Sequence, residues 1–212
     1  LWHTWFSDVF NREDKEGFDI VIGNPPYIGE KGHKEIFQPV KSDIHLGQYY
    51  LGKMDYFYFF FHLAFNMLSP HGVATFITTN YYPTALGARR LRADIKDRMS
   101  IKTLFNLGEL RLFENAPGQH NMISSFAKGK DGCKCQVIDV HKKGALNPIM
   151  FTSIINHIDE DTTYADVAQE DLYDGEENYI RLQNSSSDNP LSSLLDKIQL
   201  GNNTLGNIAE VN

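Results

Sequence analysis

With 212 residues, the chain is long enough for one good hydrophobic core, or for one domain and part of another. Its hydrophobic share of 42% and charged share of 22% match a soluble globular protein, with aromatics somewhat rich at 12%. A net charge of −7 argues against a module that clamps DNA phosphate unaided, because such modules are usually basic.

Residues 1–17 are amphipathic and end in a charged turn closed by Gly17. Phe18 to Gly23 has the length and branching of a buried strand. Asn24-Pro25-Pro26-Tyr27 follows it. Asn24 and Pro25 each precede a proline and are pushed out of the α region. The prolines fix φ and offer no N–H. A rigid, extended loop is therefore predicted at the carboxyl end of a strand, where open α/β sheets bind their ligands. The Asn24 carboxamide oxygen and the Pro25 carbonyl are acceptors that suit an exocyclic amino group, and Tyr27 offers a ring to stack on. Residues 28–50 read as a long polar and aromatic loop of mobile character. Its Lys31, His33, Lys34 and His45 read as phosphate contacts or as solvated surface.

Residues 53–68 suit a buried aromatic helix, stopped by Ser69-Pro70-His71-Gly72. Asp55 either orients the preceding loop or caps this helix. The apolar run from Tyr56 to Phe65 is too short to span a bilayer and contains His62. No signal peptide is visible, so a cytoplasmic location is expected. Val73 to Thr79 reads as a second strand, and Asn80 to Thr84 as a turn. Leu86 to Met99 is a helix on the spacing of Leu91, Ile95 and Met99. Strands follow at Ile101–Leu107 and Met122–Ala127. A hairpin-like turn, Gly129 to Gly132, leads into a strand from Cys135 to Val140. Cys133 and Cys135 leave no four-ligand zinc set, so no metal is expected. They read as reduced thiols on opposite faces of a strand.

After about residue 145 the chain becomes acidic, at Asp159-Glu160-Asp161, Glu170-Asp171 and Asp174 to Glu177. Ser185 to Pro190 reads as a linker that also suits capping of a helix at Leu191–Leu200. The expected organisation is α/β, with one unit over 1–145 and a linker with a helical lead-in over 146–212.

Asn24-Pro25-Pro26-Tyr27, within Phe18 to Ile28 and after the lead-in Trp5 to Phe10, resembles motif IV of the S-adenosylmethionine-dependent amino-methyltransferases. It is similar to the adenine-N6 DNA methyltransferases of Type IIG restriction–modification proteins. The resemblance covers residues 1–130 best. It implies a partial Rossmann-like methyltransferase fold, its mixed sheet closed by an antiparallel hairpin. It also implies methyl transfer to N6 of a flipped adenine in double-stranded DNA. Asn24, Pro25, Pro26 and Tyr27 would be the catalytic loop, with Tyr27 stacking through its ring rather than its hydroxyl. Phe113 is the best match for a second stacking ring, unless it is tucked on the core, and His120 is a second candidate. Asn24, Pro26 and Phe60 would touch the cofactor S-adenosylmethionine, unless Phe60 serves only the helix core.

The family's Gly-rich cofactor loop lies upstream of this motif, and none of the 23 residues before Asn24 carries it. The expectation is a chain that forms the C-terminal half of a catalytic domain and is inactive alone. The N-terminal half would lie elsewhere in the same polypeptide, and Leu205 to Asn212 would begin a target-recognition domain. A protein-glutamine N5 methyltransferase shares the motif and is the alternative from the same chemistry. A non-catalytic DNA-specificity module is the alternative from another class.

Overall fold

The computed structural model describes residues 2–113 and 118–182. The expected linker at Ser185–Pro190, the helix at Leu191–Leu200 and the segment Leu205–Asn212 lie outside these residues.

Two short helical turns, α1 (Trp2–Trp5) and α2 (Ser7–Phe10), open the chain. Phe6 and Phe10 set their rings edge-on against Phe18, at centroid distances of 5.3 and 5.4 Å. Strand β1 (Phe18–Gly23) follows at its predicted bounds but is not the buried strand expected: among the described residues it is an edge of the sheet, and Ile20 and Ile22 are exposed. Residues 28–50 depart from the expected mobile loop. They contain a helix, α3 (Lys34–Lys41), and a 3-10 turn at Gly47–Tyr49. Phe37 and Val40 stand one turn apart on α3, and both bury against the core. That burial outweighs the polar composition and the Pro39 inside the helix.

Helix α4 (Phe57–Met67) carries Phe57, Phe61 and Phe65 at four-residue spacing, and all three are fully buried. Phe61 stacks on Phe76, with ring centroids 4.7 Å apart. Each such ring contributes about 1.5–3 kcal/mol by leaving water. Strand β2 (Leu68–Thr79) begins where the helix ends, and its register against β1 slips between Phe18 and Ile20. Ser69 to Gly72 therefore forms the irregular start of a strand, not a free stop. Helix α5 (Arg89–Arg98) is preceded by a 3-10 turn at Leu86–Ala88. Then come β3 (Met99–Gly108), β4 (Leu110–Arg111), β5 (Asn121–Lys128) and β6 (Cys135–Val140). The remainder is β7 (Gly144–Ala145), α6 (Pro148–Ile155), β8 (Thr162–Val167), β9 (Tyr173–Asp174) and β10 (Tyr179–Ile180).

The main sheet has the order β1-β2-β5-β3-β6-β8. β1 runs parallel to β2, and β3 parallel to β6; β5 and β8 run against their neighbours. The antiparallel pair expected to close the sheet is β3 with β5. β6 pairs with β3 and not with β5, so Gly129 to Gly132 is a crossover connection and not a hairpin. Cys133 sits in that connection, where Lys102 Nζ donates to its sulfur at 2.9 Å; only Cys135 is in the strand, and it is buried. The two thiols thus do not occupy opposite faces of one strand. Helices α3, α4 and α5 pack on one face of the sheet. Ile154 and Met150 of α6 pack on the other, over Phe105, Ile138 and Val140. No described helix is long and apolar enough to cross a membrane.

Candidate active site

The loop at the carboxyl end of β1 is held from two sides. Its exit pairs with the approach to α4: Glu30 N donates to Met54 O at 2.9 Å and Tyr56 N to Ile28 O at 2.8 Å, flanking a bridge between Gly29 and Asp55. On the other side the Tyr27 hydroxyl lies 2.7 Å from Asn24 Oδ1 and 2.9 Å from the Ile77 carbonyl of β2. Burial, with the negative charge of Asp55 nearby, pushes the Tyr27 phenol up to about 12. The phenol is therefore a donor at neutral pH, and one lone pair of Asn24 Oδ1 is already in use. Asn24 and Pro26 are exposed, Pro25 is buried and Tyr27 is half-buried. The Pro25 carbonyl accepts no hydrogen bond among the described residues.

Asp55 sits under this loop. Burial raises its carboxyl, against the pull of the Phe57, Ile28 and Tyr56 backbone N–H groups, and its Oδ1 has no partner among the described residues. It lies close to backbone of both the loop and the start of α4. Phe57, fully buried, sets its ring edge-on to Tyr27 at 6.0 Å. Phe60, one turn on, is half-buried and lies 5.9 Å from the Tyr56 ring instead.

β2 links this loop to a second group of residues. Three positions beyond Ile77, Asn80 N donates to the His120 carbonyl at 3.0 Å, and the His120 ring is 6.5 Å from that of Tyr81. Asn24, Tyr27 and His120 are thus brought to one end of the sheet. Phe113 is half-buried, and residues 114–117 beside it lie outside the described residues.

One network escaped sequence reasoning. Asn80 Nδ2 donates to Asn106 Oδ1 at 2.9 Å, and Asn106 Nδ2 donates to Asp139 Oδ1 at 2.7 Å. Asn106 Oδ1 also accepts from Gly108 N at 3.2 Å. A carboxylate only accepts, so Asp139 fixes which way the Asn106 amide points. The available signal was a polar residue inside each apolar run, Phe105-Asn106-Leu107 and Ile138-Asp139-Val140. Among the described residues, no cluster of histidine, cysteine or acidic side chains is placed to hold a metal.

Residues 1–113 match the family described as Eco57I restriction-modification methylase. The Type II methyltransferase M.HincII of Haemophilus influenzae is 26% identical over 141 residues, 66% of this chain and 28% of that protein. RM.Eco57I of Escherichia coli, a Type II restriction enzyme and methyltransferase, is 23% identical over 100 residues, 46% of this chain and 10% of that protein. The chain therefore spans less than a third of these relatives. Among solved structures, the type I restriction-modification methyltransferase subunit from Streptococcus thermophilus superposes with a TM-score of 0.53 at 16% identity. The match covers 77% of this chain and 37% of that one. A structure of a type I R-M system gives 0.54 at 13% identity, covering 87% and 43%. These similarities show the fold, a Rossmann-like methyltransferase sheet of mixed direction. Since the family match spans more than half of the residues and includes the Asn24–Tyr27 loop, the chain belongs to the Eco57I restriction-modification methylase family.

Proposed function

We propose that this chain carries the amine-binding half of a site that methylates N6 of adenine in double-stranded DNA, as part of a restriction–modification protein. The observation that carries this reading is the Asn24–Tyr27 loop, with a free lone pair on Asn24 Oδ1 and a free Pro25 carbonyl at the carboxyl end of β1. The N6 amine of adenine is a poor nucleophile, because its lone pair is delocalised into the ring. Two acceptors binding its two hydrogens favour a pyramidal nitrogen whose lone pair is free to attack. Holding these acceptors rigid before the base arrives is preorganised electrostatics, and no covalent intermediate is needed. The base must leave the duplex to reach them, at a cost of a few kcal/mol. Stacking on Tyr27 returns about 1–3 kcal/mol, with His120 and Phe113 as candidates for the opposing ring.

S-adenosylmethionine, when bound, supplies the electrophilic methyl group. The residues present fit such a group in part: Phe60 is half-buried, and Pro26 is exposed beside Asn24. Asn80, Asn106 and Asp139 position the strand end that carries Tyr81 and His120.

The experiment is methyl transfer by the full-length protein to unmethylated plasmid DNA, with the product nucleoside identified by mass spectrometry. N6-methyladenine is expected. Asn24→Ala should abolish it while leaving the circular dichroism spectrum unchanged. A methyl group found on another base or on protein glutamine, or near-normal transfer by the folded variant, would refute the reading.

A further inference from the structure

A cleft of ≈ 860 Å³ opens directly beyond the Asn24–Tyr27 loop, sharing Gly29 and Asp55 with the contacts that hold that loop. Its walls are the start of residues 28–50, helix α3 and the approach to α4. Lys31, Lys34, Lys41 and Lys53 line it, against two carboxylates, Glu30 and Asp55. This is a local excess of positive charge in a chain whose net charge is −7. Glu30 is committed internally: it accepts the Tyr50 hydroxyl, which holds its carboxyl below the ordinary range. Asp55 is turned toward backbone N–H groups. Lys41 Nζ lies 5.1 Å over the Tyr50 ring. Lys31, Lys34 and Lys53 make no salt bridge with any described carboxylate, although Lys34 is near enough to help hold the Glu30 carboxyl low.

Lys53 adds a second observation. Its φ is +52°, the left-handed region that glycine enters freely and other residues enter at a cost. The backbone is locked there from behind, because a Cβ on Gly87 would stand 2.0 Å from the Lys53 carbonyl oxygen. Glycine would serve the turn better, as it does next door at Gly52, where φ is +93°. The turn thus places an exposed cation at the mouth of the cleft where glycine would fit the backbone more easily.

We propose that this cleft seats backbone phosphates of the DNA next to the extruded adenine, with Lys53, Lys34 and Lys31 as their contacts. The proposal rests on the DNA reading given above. A base entering the Asn24–Tyr27 loop brings its own phosphates within reach of the adjoining walls. Ammonium groups that neutralise phosphates release condensed counterions, which makes each contact countable in a salt titration.

The test uses the full-length protein and a labelled duplex carrying the sequence that the wild-type protein methylates. Binding is followed by fluorescence anisotropy from low to high salt. The combined variant Lys31→Ala, Lys34→Ala, Lys53→Gly should bind about tenfold or more weakly, with a slope of log K against log salt shallower by about two to three. Its calorimetric affinity for S-adenosylmethionine should be unchanged. Lys53→Gly alone should raise the melting temperature while making the slope shallower by about one, which separates lost charge from lost folding. An unchanged slope in the triple variant, beside a wild-type protein that binds and methylates DNA, would overturn the phosphate seat and leave the methylation reading standing. A wild-type protein that binds no duplex would overturn both.

Discussion

At the scale of single residues, Tyr27 has a contact that its sequence reading does not include. Beside the ring read as a stacking surface, the hydroxyl sits between two acceptors, Asn24 Oδ1 and the Ile77 carbonyl, and shares its one proton between them. Tyr27→Phe should keep stacking but free the Asn24 amide to rotate. Losing such a bond is worth about 0.5–1.5 kcal/mol, so single-turnover methylation should slow several-fold. Extrusion of a fluorescent base analogue should stay near wild type. Tyr27→Ala should lose both properties, with extrusion weakened by the further stacking energy of about 1–3 kcal/mol. A phenylalanine variant with wild-type turnover would show that the hydroxyl contributes nothing to the acceptor geometry. Proline spacing made the loop legible in the sequence. The bond from residue 27 back to residue 24 was not, because a tyrosine ring in sequence carries no direction.

Among elements, the packing of α4 against α5 depends on an ion cluster. Arg98 Nε and Nη2 reach the two Asp94 oxygens at 2.5 and 2.7 Å, and His62 Nδ1 lies 2.6 Å from Asp94 Oδ2. Tyr49 covers the imidazole at 3.7 Å, and His62 Nε2 is buried without a partner among the described residues. Burial pushes the His62 imidazole below its ordinary 6.5, outweighing the Asp94 hydrogen bond and charge that raise it, with a small further push from Arg98. The unfolded chain therefore takes up this proton first. Stability present at neutral pH should be lost as the pH falls from about 6.5 toward the lower folded value. Urea midpoints should drop between pH 7 and pH 5.5 in the wild-type protein and drop less in His62→Gln; equal drops would assign the loss to other groups. Apolar periodicity revealed α4 and α5 to near their bounds, because each buries one repeating face, and the apolar run of β1 gave its bounds though not its exposure. It missed α3, whose two anchors, Phe37 and Val40, are too few to make a pattern. It also misplaced the partner of β6, since strand order is decided by contacts far apart in sequence.

For the whole molecule, the edge of the sheet matters most. β1 pairs only with β2 among the described residues, and Ile20 and Ile22 on it are 65% and 77% exposed. An open apolar edge is a template for pairing with another chain. The 212-residue chain on its own should self-associate in sedimentation velocity. Ile20→Glu with Ile22→Glu should suppress this without lowering the melting temperature, and association unaffected by both charges would place the contact elsewhere. The centre of the sheet carries a different consequence, one of timing. β5 lies between β2 and β3, yet it is made after both. At a synthesis rate of about 5–20 residues per second, the ribosome leaves the facing sides of β2 and β3 bare for roughly one to several seconds after β3 is complete. During that interval the chain holds an open slot between two finished strands. Neighbouring chains on one messenger present the same slot and, soon after, the same β5 to fill it, so slow translation through residues 109–128 favours an exchanged strand over a correctly closed sheet.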